Sequence, residues 1–191
     1  MSLNGGVNSI VRQRHSTIGV VLAAGAGTRF GMPKVLADAG EWLRLSVAAL
    51  SDGGCDDVVV VLGAAVVDVP SPARAVVADD WDAGLSASVR AGIQAASEAD
   101  FVVVTTVDTP DVGAAAVQRV LSAAQKSASG LARALYGGRP GHPVVIARRH
   151  LPQLLDSLSG DDGAGPFLKA RADVVAVECG DLSSGRDIDT R

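Results

Sequence analysis

Aromatic residues are scarce in this chain, at 3% of 191 residues, and cysteine occurs only twice. With so few rings, the balance suits closely packed strands and helices built on small aliphatic side chains. Basic residues are also in deficit: the formal net charge is -4, which excludes the basic face a nucleic-acid-binding domain requires. No apolar run approaches the roughly 20 residues that span a bilayer, so no membrane partner is expected. Cys55 and Cys179 lie far apart with no metal-like spacing, and read as two reduced thiols of a cytoplasmic protein. Residues 1–17 contain Arg12, Arg14 and His15 but no apolar centre of a secretory signal; they read as a flexible tail. Residues 18–191 then read as one domain, long enough to bury a substantial core.

What is present is alanine, valine and glycine in a chain that is 48% hydrophobic. Continuous β-branched runs at 58–62 and 101–107 read as strands covered on both faces, as in a parallel sheet. Further strands are expected at 18–23, 75–77, 131–136, 143–147 and 172–177. Helical spacing occupies 41–51, the stretch from Leu85 to Ala96, 112–124 and 148–158, with a polar glycine-bearing segment at 160–165. This alternation predicts an α/β fold of three layers, with a mostly parallel central sheet between helices. Ligands of such sheets collect at the carboxyl ends of the strands. Two polar junctions fall there: the turn after the first strand, and Asp108 after the strand at 101–107.

The first junction reads Leu22-Ala23-Ala24-Gly25-Ala26-Gly27-Thr28-Arg29-Phe30-Gly31-Met32-Pro33-Lys34. It admits three readings: a dinucleotide pocket, a triphosphate pocket, or a plain surface turn. A dinucleotide fingerprint needs a helix opening directly from the glycines and an acid about 20 positions on. Here Met32-Pro33 intervenes, and the strand at 58–62 ends in Gly63 with no acid. Triphosphate binding explains more. Successive backbone N–H groups form an anion nest, Arg29 supplies a planar charged fork, and Lys34 a mobile point charge.

The same stretch resembles the signature of nucleotidyltransferases with a glycosyltransferase-A-like, Rossmann-like fold. Within that group the chain is most similar to the molybdenum cofactor nucleotidyltransferases, especially the cytidylyltransferase branch. The resemblance extends to Trp81-Asp82-Ala83-Gly84-Leu85-Ser86-Ala87-Ser88, Val107-Asp108-Thr109-Pro110, Gly138-Arg139-Pro140-Gly141-His142-Pro143, Gly160-Asp161-Asp162-Gly163-Ala164 and Asp187-Ile188-Asp189-Thr190. One departure is Ala78, where the family usually has Asn.

The resemblance implies a Mg²⁺-dependent transfer of a nucleoside monophosphate, with CTP favoured over GTP because Ala24 replaces a glycine. The acceptor would be the terminal phosphate of molybdopterin, pyrophosphate would leave, and a molybdoenzyme or its chaperone could receive the product. Arg29, Lys34 and Asp108 would be catalytic. Leu22, Ala23, Ala24, Gly25, Gly27, Ser86 and Ser88 would bind nucleotide, and His142 and Asp161 the acceptor. Asp108 and Asp187 would ligate the metal, since Mg²⁺ binds through one or two carboxylates plus substrate phosphates. Simpler roles compete: Asp108 as a helix N-cap, Ser86 likewise, and His142 as a structural residue in its turn. Another phosphorylated acceptor (a sugar phosphate or phospholactate), or a non-catalytic binding module, remains as an alternative.

Overall fold

The structure is a computed structural model and describes residues 15–190. The chain alternates β1 (Thr17–Leu22), α1 (Glu41–Asp52), β2 (Asp57–Leu62), β3 (Arg74–Val77), α2 (Leu85–Ala95), β4 (Phe101–Thr106) and α3 (Ala114–Lys126). A hairpin of β5 (Leu131–Tyr136) and β6 (Arg139–Ala147) follows, then α4 (Leu151–Ser157), α5 (Ala164–Lys169) and β7 (Val175–Glu178).

All seven strands join one sheet in the order β3-β2-β1-β4-β6-β5-β7. β1 pairs in parallel with both β2 and β4, β2 with β3, and β5 with β7. Only β6 runs against its neighbours. The expected three-layer, mostly parallel α/β fold is therefore present, with one reversed strand. That strand follows from the short turn at Gly137-Gly138, because a connection this tight can only return antiparallel.

Alternation along the strands divides the core into two layers. Val21, Val58, Val60 and Val103 pack beneath α1 and α3 with Leu50, Val117 and Leu121. Val20, Val59, Val61 and Val104 face the other way and are covered by Ile93 of α2, Leu154 of α4 and Phe167 of α5. Burial of each such side chain contributes about 1.5–3 kcal/mol. With both faces covered, the β-branched runs need no polar alternation.

Several expectations change at their edges. The first strand starts one residue earlier than expected: Thr17 opens β1, and the Ser16 amide donates to Asp100 Oδ2 at 3.0 Å. Residues 1–14 lie outside the described residues. The helix expected at 148–158 is a 3-10 turn at Arg148–His150 followed by α4. The glycine-bearing segment at 160–165 runs straight into α5, which the sequence reading missed. The last strand starts at Val175 instead of 172. Among the described residues no helix is long and apolar enough to cross a membrane.

Candidate active site

The carboxyl end of β1 runs directly into the glycine turn. Its first residues are tied to the end of β2: the Ala23 amide donates to the Val61 carbonyl at 3.0 Å, and the Ala64 amide to the Ala24 carbonyl at 2.9 Å. The turn then tightens around Gly27, which has φ +62 and whose carbonyl accepts from the Gly31 amide at 2.8 Å. A Cβ at Gly27 would collide with the Met32 carbonyl, so this position requires glycine. Phe30 anchors the turn by packing on Trp42 of α1, with ring centroids 5.3 Å apart. The fixed turn delivers Lys34 to the start of a 3-10 segment, Lys34–Gly40, beside the end of β4.

There Lys34 Nζ lies 2.8 Å from Asp108 Oδ2 and 2.8 Å from Asp189 Oδ1. Burial works to lower the pKa of Lys34, but the hydrogen bonds it donates to Asp108 and Asp189 outweigh burial and raise the value, so the ammonium stays charged. Asp108 makes no helix cap. α3 begins behind Gly113, whose backbone is extended and which lends no side-chain cap. The other carboxylate oxygen, Asp108 Oδ1, is buried and makes no hydrogen bond among the described residues, as is Thr106 Oγ1 next to it along the chain end of β4. A buried carboxylate oxygen left without a donor is costly unless something electropositive completes it.

The C-terminal segment crosses the same ground. Ser184 donates from its amide and hydroxyl to Asp111 Oδ2, and the Ile188 amide donates to the Asp108 carbonyl at 3.0 Å. Asp187 is pushed above the usual carboxylate range by burial and then by the nearby charge of Asp108. Two acids that repel one another beside an orphaned oxygen could hold a divalent cation. Among the described residues no group of three or more His, Cys, Asp or Glu could hold a metal by itself. Such a pair suits a cation shared with substrate phosphates, the usual manner of Mg²⁺.

The far wall is the start of α2. Gly84 has φ +118, and a Cβ there would stand 2.5 Å from the Gly160 carbonyl oxygen. That close approach lets the Ser86 amide donate to the same carbonyl at 3.0 Å, which brings Asp161 to the cleft. Ser86 caps nothing, since the N-cap of α2 is Gly84.

A cleft of about 600 Å³ results. Leu22, Ala23, Ala24, Gly25 and Gly27 line it, together with Arg29, Lys34, Ser88, Asp108 and Asp161. Ser86, His142 and Asp187 do not line it. The Ser86 amide is already bonded to Gly160. His142 is not in a turn as expected but within β6, where its Nδ1 sits 3.3 Å from the Val104 carbonyl. Burial pulls its pKa down against the opposing pull of that carbonyl, Asp187 and Asp108, favouring the neutral ring. Ala78 is buried, with its amide donating to Leu62, so it is a packing residue. Thr106 and Asp82 also line the cleft. Nothing in their local sequence distinguishes them from strand and turn residues; only the convergence of β4 and α2 does.

The cleft can thus bind an anion through the turn, Arg29 and Lys34, and a cation at Asp108. A relative from Paenarthrobacter nicotinovorans, nicotine blue oxidoreductase, is 38% identical over 189 residues, covering 90% of this chain and 91% of that protein. The fold matches Rv0371c from Mycobacterium tuberculosis H37Rv, with TM-score 0.73 and 24% identity over 92% of this chain and 94% of the other. A complex of Rv0371c with manganese also matches, with TM-score 0.64 and 21% identity over 86% and 88%. A nucleotidyl transferase from Methanothermobacter thermautotroptrophicus, Mth528, matches with TM-score 0.73 and 23% identity over 92% of each chain. A family model described as the MobA-like NTP transferase domain matches residues 19–175. With that span running from β1 to β7 and including the glycine turn and Asp108, the chain belongs to the MobA-like NTP transferase family and is a nucleotidyltransferase.

Proposed function

We propose that this protein transfers CMP from CTP to the terminal phosphate of a molybdopterin-type acceptor and releases pyrophosphate. One observation carries the reading. Lys34 at the end of the glycine turn and Asp108 at the end of β4 meet at 2.8 Å in one cleft, with the second Asp108 oxygen left free. The turn's amides, Arg29 and Lys34 would hold the triphosphate and offset charge on the departing pyrophosphate. The acceptor phosphate is already ionised, so no general base is required, and positioning and charge stabilisation supply the rate. Asp108 and Asp187 would hold Mg²⁺, which supplies charge neutralisation at the phosphates when bound. Ala24, which lines the cleft where the resemblance gives guanylyl-transferring relatives a glycine, supports CTP over GTP. Two buried free thiols accord with a cytoplasmic setting.

A second reading has one observation in its favour: the relative named nicotine blue oxidoreductase. Hydride transfer would call for a dinucleotide carrier. β2 ends at Leu62 and continues into Gly63-Ala64-Ala65, with no acid placed for a ribose.

Thermal unfolding with each nucleoside triphosphate and with NADH, with Mg²⁺ or with EDTA, separates the two. A ligand present at a hundred times its Kd adds about 2.7 kcal/mol of stability. A Mg²⁺-dependent shift with CTP is expected, with little response to GTP or NADH. A shift with NADH alone would overturn the transferase reading in favour of the redox one.

A further inference from the structure

Arg133 sits at the centre of β5, half-buried, and the site described above makes no use of it. Its Nε is buried and makes no hydrogen bond among the described residues. Its partners across the sheet are Val144 on β6 and Ala176 on β7, neither of which offers a charge. The acid in the neighbouring position on β7, Glu178, is committed elsewhere: it accepts from the amides of Gly137, Gly138 and Gly180. Burial alone acts on the guanidinium, pulling its pKa down with no carboxylate to offset it. A half-buried cation with no counter-charge is destabilising in the free protein unless an anion completes it.

The placement indicates which anion. Leu131, two residues before Arg133, belongs to the core layer under α2, as does Val144 opposite Arg133. By strand alternation Arg133 lies on that face, on which α2 carries Ser88 to the cleft, and its charge reaches the ring of His142 on the neighbouring strand. Sheet order puts the groups in a row: the glycine turn on β1, Asp108 after β4, His142 on β6, then Arg133 on β5. In-line displacement at the α-phosphorus requires the attacking group opposite the departing pyrophosphate. If the turn holds the pyrophosphate, the attacker must approach from beyond Asp108, where His142 and Arg133 stand.

We propose that Arg133, beside His142, is the binding site for the phosphomonoester of the acceptor. This rests on the transferase reading above. A guanidinium fork matches the oxygens of a phosphate dianion in a way that an ammonium cannot. The acceptor class is accordingly a phosphomonoester.

The test is a calorimetric titration of phenyl phosphate into the whole protein, alone and loaded with Mg²⁺ and a CTP analogue bearing a methylene bridge between the α and β phosphorus. In R133M, phenyl phosphate affinity is expected to fall at least tenfold, with R133K in between. Analogue affinity should stay at the wild-type value in both variants, and the unfolding temperature of R133M should be no lower than that of the wild type, since a desolvated cation without a counter-charge has been removed. Unchanged phenyl phosphate binding in R133M, or none in the loaded wild type, would overturn the assignment while leaving the transferase reading standing. Absence of analogue binding, with the Arg133-dependent phosphate signal intact, would sink the transferase reading alone. Should R133M fail to fold, R133Q and R133K carry the same comparison.

Discussion

At the residue scale, Lys34 and Asp108 are paired, each mostly shielded from water, at 15% and 20% side-chain exposure. Removing Lys34 leaves Asp108 without its cation, and removing Asp108 leaves Lys34 held by Asp189 alone, at the place where phosphates would gather. Asp108→Asn and Lys34→Ala are each expected to slow pyrophosphate release by about a hundredfold or more, the usual scale for a preorganised charge at a reacting centre. Circular dichroism should remain that of the wild type, and wild-type rates in both variants would discard the site. The thiols behave differently. Burial, with a smaller contribution from Asp56, pushes Cys55 up from its ordinary value near 9 to about 12. Between those values the folded chain holds a proton that the unfolded chain has lost, so stability falls as pH rises from 9 towards 12. Each unit is worth about 1.4 kcal/mol. Urea unfolding at pH 8 and pH 10.5 should register the loss, and Cys55→Ala should flatten that part of the slope. At neutral pH neither Cys55 nor Cys179 should react with a thiol reagent until the protein unfolds.

At the scale of elements, the contact between α2 and the 158–163 loop holds one wall of the cleft, and Gly84 is its hinge point. Gly84→Ala would combine a left-handed backbone with a methyl group 2.5 Å from the Gly160 carbonyl oxygen. It is expected to cost about 1–3 kcal/mol and to weaken nucleotide binding as Asp161 withdraws, read by unfolding temperature and nucleotide Kd. The elements themselves were unevenly legible. β1, β2 and β4 could be read because strands buried on both faces show as unbroken β-branched runs. The glycine turn could be read because Gly27, Arg29 and Lys34 are close in sequence. The direction of β6 could not, since periodicity carries no sign; nor could α5, whose first turn is written in glycine, alanine and proline. His142 looked like a turn residue because glycine and proline flank it, yet β6 tolerates both there, in the part of the strand beyond its register with β4. Asp189 could be singled out with the terminal motif, but its pairing with Lys34 joins distant segments that no local pattern encodes, and Arg133 stands out only once the sheet order is known.

At the scale of the molecule, seven strands bring segments from both halves of the sequence to one edge of the sheet. β1 and β4 are adjacent there although α1, β2, β3 and α2 lie between them in the chain. The charge on that edge has a kinetic side. The whole chain carries -4, and the cleft lining holds two cations, Arg29 and Lys34, against four carboxylates, Asp82, Asp108, Asp161 and Asp189. Lys34 is already neutralised by two of these acids, so the empty cleft exerts no long-range pull on a bare triphosphate. Electrostatic steering, which quickens encounter in many anion-binding enzymes, is missing here. Stopped-flow association of nucleotide should therefore show no fall as ionic strength rises, and should be faster for the metal-bound nucleotide, which meets less repulsion, than for the free one. A steep fall in rate with added salt would show that a basic surface elsewhere guides the ligand in. If the rate does not fall, this protein gathers its substrate by diffusion alone and reserves its two cations for the moment after contact.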